Sequence, residues 1–190
     1  MRLASTALER IAIVVASLIL SVGLIAVMSG FFQNHDPAGV SGTGVVQGQQ
    51  FPDLGHTHLS PGELRPPYNS DPPTSGAHIA EPVLHDATTI NNDQLLEALE
   101  VGDIVILYGT REPPPGLRKL ADAVGAGPFS PSLAAAGQAV VLARRPGTNG
   151  LIGLAWTRIL RVASAQDPTL REFAEQWLGR GATPAQTKSR

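Results

Sequence analysis

NNDQLLEALEVGDIVILYG, residues 91–109, decides the fold. Leu95, Leu96 and Leu99 fall on one face of a helix that Asn91 or Asn92 can cap, with Asp93 in the first turn, where the helix dipole favours an acid. Gly102 is a natural stop. Asp103–Gly109 then runs apolar and β-branched almost without interruption, as a strand covered on both faces does.

Downstream, Pro113–Pro115 breaks the chain, and apolar residues at 117, 120, 121 and 124 predict a second helix over Leu117–Val124. Gly125–Pro128 ends it, and Pro131–Ala136 has the composition of a further short helix. Ala139–Ala143 and Leu151–Val162 read as strands, with Pro146–Gly150 (PGTNG) as a turn between them, so the two are expected to pair as a hairpin. Asp167 or Thr169 caps a last helix, Leu170–Leu178, whose Leu170, Phe173, Ala174 and Trp177 share a face. The order helix–strand–helix–strand–strand–helix predicts one small α/β or α+β domain over 51–178, with about three core strands and about three helices. Gly179–Arg190 reads as a polar, disordered tail.

Upstream the chemistry changes. Ile11–Phe32 is 22 residues without a charge, about 33 Å as a helix and enough to cross a bilayer. The run is longer than the apolar region of a cleaved signal, and Ala26-Val27-Met28 makes a poor cleavage site. Arg2 and Arg10 precede it, which keeps residues 1–10 in the cytoplasm and places the domain outside. Residues 33–50, rich in Gly, Ser and Gln, read as a flexible spacer. The expectation is a single-pass protein of the bacterial cytoplasmic membrane with an extracytoplasmic domain.

Composition removes several functions. The net charge is −2 with no basic run, so nucleic acid is not an expected partner. Cysteine is absent, which excludes disulfides, thiolate metal sites and cysteine nucleophiles.

The candidate chemistry lies in Phe51–His78, FPDLGHTHLSPGELRPPYNSDPPTSGAH. This segment has no period of 2 or 3.6, yet its residues each restrict the backbone. Pro72 and Pro73 fix φ, Asn69, Ser70 and Asp71 bond back to nearby N–H groups, and Gly76 admits a positive φ. A long loop that is locally determined is a functional one more often than a passive one. All five histidines lie between residues 35 and 85. In an extended segment His56 and His58 point to one side, and an ordered loop can bring His78 to them. Without sulfur such a set suits copper, zinc, iron or nickel, with copper or zinc the expected ion. Against this stands the plain reading of loop histidines that are exposed or hydrogen-bonded. Ser75-Gly76 lacks the G-x-S-x-G of a nucleophile elbow. Asp71, Glu81 and Asp86 read as turn formers or solvated acids rather than acid–base catalysts. No complete catalytic set can be assembled.

Three segments resemble a known family: Gly55-His56-Thr57-His58, Tyr68-Asn69-Ser70-Asp71-Pro72-Pro73-Thr74-Ser75-Gly76-Ala77-His78, and Ala98–Tyr108 (ALEVGDIVILY). Together they resemble the bacterial domain-of-unknown-function family 3105, whose members look membrane-anchored or secreted. The resemblance runs from about residue 51 to 178. It implies an architecture more than an activity. This chain departs from the family's H-S-L-E-H-G, carrying Glu97-Ala98-Leu99-Glu100-Val101-Gly102 in its place. If the family pattern is a histidine cluster, His58 and His78 remain here. Glu97 still offers an oxygen and Val101 offers nothing. Either the site is altered, or the scaffold persists without metal, and the second is the preferred expectation.

The leading functional expectation is therefore a non-catalytic binding or accessory module of an envelope complex. The alternative is a copper- or zinc-binding, or redox-related, envelope protein using His58, His78, His56 and Glu97.

Overall fold

A computed structural model describes residues 48–182. The predicted span Ile11–Phe32 lies outside the described residues, as do the rest of 1–47 and 183–190. Among the described residues, no helix is long and apolar enough to cross a membrane.

The central strand β2, Ile104–Tyr108, is buried along its whole length, as its composition requires. One face of it, Val105 and Leu107, packs under α1 (Asn92–Val101) and α3 (Pro131–Ala135). The other face, Ile104, Ile106 and Tyr108, packs under α2 (Leu117–Val124) and α4 (Pro168–Trp177). Two half-cores thus sandwich one sheet, giving an α+β domain of three layers. The continuous apolar run follows from this: a strand with helices on both sides has no solvent face to mark with polar residues.

Five strands form the sheet. Besides β2 they are β1 (Gln49–Gln50), β3 (Val140–Arg144), β4 (Leu151–Ala155) and β5 (Arg158–Val162), in the order β1-β5-β4-β2-β3. β3 runs parallel to β2, with Ile104 opposite Val140, while β4 is antiparallel to it, with Val105 opposite Leu154. β3 and β4 are therefore not a hairpin, and that expectation is corrected. β2 lies between them and needs a neighbour on each edge; pairing β3 with β4 would have left one of its edges open. The 146–150 turn instead crosses the end of β2. There a Cβ on Gly109 would sit 2.2 Å from the Thr148 carbonyl oxygen, so only glycine permits the crossing.

Leu151–Val162 is likewise two strands rather than one. They turn at Trp156-Thr157, where Thr157 adopts φ 61°. Gln49–Gln50, placed by sequence in the spacer, pairs with β5, Gln49 facing Ile159. Residues of the expected tail also hold to the domain: Gly179 N–H donates to Gly102 O at 2.8 Å and Ala182 N–H to Glu100 O at 2.9 Å.

α1 forms as its sequence dictates. Asn91 accepts from Gln94 N–H while the Gln94 side chain accepts from Asn91 N–H, a reciprocal capping box. Leu95, Leu96 and Leu99 are buried against the sheet. Its opposite edge carries Glu97 and Glu100, and that edge faces the long loop.

Candidate metal centre

The loop is built as a brace. Pro72 to Gly76 are buried, and their polar groups are bonded into the domain. Ser75 Oγ accepts from Leu54 N–H at 3.0 Å, and the Thr74 carbonyl accepts from Thr157 N–H at 2.9 Å. Tyr68 donates its hydroxyl to Ala77 O, Asn69 donates to Pro52 O, and Ser70 Oγ lies 3.4 Å from Thr74 Oγ1. Asp71 stands at the exposed end, paired with Arg145, and the Asp71–Pro72 peptide is cis. Gly76 takes φ 120°, and a Cβ there would meet the Tyr68 ring at 3.1 Å. Ser75 is fully buried and already engaged, so it braces and does not attack.

The brace delivers His78 to the first loop segment. Gly76 N–H donates to Gly55 O, His78 N–H to Thr57 O and Leu59 N–H to His78 O, so that His58 and His78 form a parallel bridge. α1 is tied to the same loop at its start. Asp93 accepts from Ile79 N–H and pairs with Arg65. Burial alone would raise the Asp93 carboxyl, but the Arg65 guanidinium and the Ile79 N–H outweigh it and hold the group below its ordinary value.

These contacts bring four side chains together. His58, His78, Glu97 and Glu100 each offer one ligand atom within 4.8 Å of the others. Four donor separations are resolved: His58 Nε2 to Glu100 Oε2 3.1 Å and to Glu97 Oε2 3.7 Å, His78 Nε2 to Glu100 Oε2 3.3 Å and to Glu97 Oε2 3.5 Å. A tetrahedral ion with metal–ligand bonds of about 2.1 Å has donor–donor edges of about 3.4 Å.

The state of His78 is the decisive detail. It is wholly buried, and its Nδ1 lies 3.0 Å from Gly76 O. A carbonyl only accepts, so Nδ1 carries the hydrogen and a neutral ring turns the Nε2 lone pair towards the two carboxylates. Neither carboxylate contact has hydrogen-bond geometry: His78 Nε2 and Glu97 Oε2 are buried without a hydrogen-bond partner among the described residues. A lone pair beside two anionic oxygens is repulsive unless a cation, a proton or a metal, lies between them. Backbone anchoring of the non-ligating nitrogen is also how metal-bound histidines are usually oriented.

Of the residues singled out in the sequence, His58, His78 and Glu97 come together here. His56 stands one step back: its Nδ1 lies 3.1 Å from Glu100 Oε1, the oxygen turned away from the cluster, and its ring meets Trp156 edge-on. Val101 is 39% exposed and contributes no donor. His85 is exposed away from the cluster, and His35 lies outside the described residues. The acids considered for catalysis serve the scaffold: Asp86 accepts from Leu142 N–H and pairs with Arg118, and Glu81 accepts from Asn91 Nδ2. Glu100 escaped the sequence reading. Its signal was the three-residue spacing from Glu97, which puts both carboxylates on one helical edge.

Brace, histidines and carboxylates define a small α+β domain whose long loop and first helix build a mixed histidine–carboxylate cluster. The family described as a protein of unknown function (DUF3105) matches residues 63–190, and the chain belongs to it. No curated protein and no solved structure matches the chain.

Proposed function

We propose that the domain is a non-catalytic metal-binding module, holding one zinc or copper(II) ion between His58, His78, Glu97 and Glu100. The observation that carries this reading is the buried Nε2 of His78, aimed at two carboxylate oxygens without a hydrogen bond to either. Two nitrogens and two oxygens with no thiolate fit borderline divalent ions. Four protein donors close a tetrahedron, as in sites that bind or stabilise, whereas catalytic zinc keeps a position open. Glu97 supports the altered-site expectation over the metal-free one, because a carboxylate still supplies a donor at that point.

The module belongs on the outer side of the cytoplasmic membrane, carried by Ile11–Phe32 and available there to an envelope complex. The sequence supports this through the uncharged 22-residue run and the preceding arginines.

Elemental analysis of the chain, purified without a polyhistidine tag, tests the ion. About one zinc or copper per chain, lost in His78→Ala, is the expected result; a wild type that takes up neither metal at micromolar free concentration overturns it. The cysteine-free sequence makes the topology testable too. Leu64 is 92% exposed, so Leu64→Cys should react with a membrane-impermeant maleimide in intact cells.

A further inference from the structure

A second feature lies beside α1. A cavity of about 140 Å³ opens between α1, α3 and residues 82–84, with Ala98, Ala134 and Val83 among its walls. Leu84 and Val101, 55% and 39% exposed, stand on its lining as exposed apolar residues. Asp103 and Glu97 are the carboxylates in its wall. Asp103 is 1% exposed; its Oδ1 accepts from Ala139 N–H at 2.8 Å, and its Oδ2 has no hydrogen-bond partner among the described residues.

A scaffold role explains Oδ1, which satisfies the N–H just before β3. It leaves Oδ2 unexplained. Burying a carboxyl oxygen with no partner is costly, and native structures rarely keep one without a use. The volume is that of roughly five waters at about 30 Å³ each. An ordered water needs two to four polar partners, however, and these walls are chiefly Pro, Val, Leu and Ala. Chiefly apolar walls with a few polar groups are the usual makeup of a small-ligand site.

We infer that this cavity binds a small molecule with a short aliphatic body and one hydrogen-donating head, an amine or an alcohol, which donates to Asp103 Oδ2. The site is independent of the metal reading: it uses Asp103 as anchor, and Glu97 is only a shared wall. A ligand of about five non-hydrogen atoms reaches millimolar to micromolar affinity at best, so the effect to seek is weak but saturable.

The test is a titration of the full chain at about pH 8.5, where the Asp103 carboxyl, raised to about 7 by burial, is ionised and Oδ2 only accepts, with n-butylamine, n-butanol and n-butyrate, followed by methyl NMR of Ala98, Ala134 and Val83. Butylamine and butanol should shift these methyls saturably, and butyrate, which carries an acceptor where a donor is needed, should not. Asp103→Asn keeps an oxygen for Ala139 N–H while replacing the other by an amide nitrogen, and should weaken butylamine, whose ammonium head can only donate, at least tenfold. Ala135→Leu, on the exposed lining of the cavity, should abolish it with Asp103 intact, so the inference stays testable if the Asn variant misfolds. Saturable shifts by butyrate equal to those by butylamine overturn the proposal, as does the absence of saturable shifts with any of the three.

Discussion

The brace and the cluster are adjacent and differ in how their buried polar groups are satisfied. In the brace, buried Thr74 and Ser75 are bonded to the domain, the one through its carbonyl to Thr157 N–H, the other through its hydroxyl to Leu54 N–H. In the cluster, His78 Nε2 and Glu97 Oε2 are buried without hydrogen bonds, and across α1 so is Asp103 Oδ2. Satisfied buried polar groups hold a fold in one conformation; unsatisfied ones lower stability unless something else occupies them. The loop that stands out most in the sequence is thus the support, and the residues it supports are the candidate for function.

The largest expected effect tests the unsatisfied side. Burial raises the Asp103 carboxyl to about 7 from an ordinary value of 3.8, against the opposing Ala139 N–H bond. The folded state therefore keeps a proton that the unfolded chain gives up near its ordinary value. Stability from this group is present in acid and declines as pH rises towards 7, by roughly 4 kcal/mol in all. Asp103→Asn should remove that slope. Chemical denaturation across about pH 4 to 8 measures it, and parallel wild-type and variant profiles would show that Asp103 is not the titrating group.

Next comes the cluster itself. His78→Ala removes a proposed ligand and should lower zinc or copper affinity by more than about 100-fold, beyond the 10–100-fold usual for an outer residue. His56→Ala should fall within that 10–100-fold range, because His56 acts through the far oxygen of Glu100. Isothermal titration of both variants sharpens the contrast. Equal losses would make His56 a ligand and not a positioning residue.

Much of this architecture was legible in the sequence, and the gaps have physical causes. Helix α1, strand β2 and the capped last helix follow from periodicity and end signals within one window, where local chemistry acts alone. The order of β3, β2 and β4 does not, because which strand fills an edge depends on residues up to fifty positions apart. The turn at Trp156-Thr157 was invisible because neither residue is a Gly, Asn or Asp, and it is held by bonds from Phe51 N–H and to Thr74 O. His58 and His78 were readable as a pair, but the bridge that joins them is a backbone contact across twenty residues. Glu100 was hidden in plain helix composition, where an acid on an exposed edge is ordinary.

The brace yields smaller effects. Gly76→Ala forces a positive φ on a residue with a Cβ and presses it against Tyr68; about 1–3 kcal/mol of destabilisation is expected. Ser75→Ala is the smallest and the most discriminating. It strips Leu54 N–H of its acceptor, but Leu54 is 44% exposed, so water can replace the hydroxyl and the loss should be about 1 kcal/mol. Because Ser75 contacts the cluster only through the backbone that carries His78, the variant should still take up a full equivalent of metal at saturation. Thermal melts with and without zinc measure both quantities on one sample. A Ser75→Ala chain as stable as the wild type would remove the hydroxyl from the brace, and one that binds no metal would place it in the cluster, erasing the division between support and site.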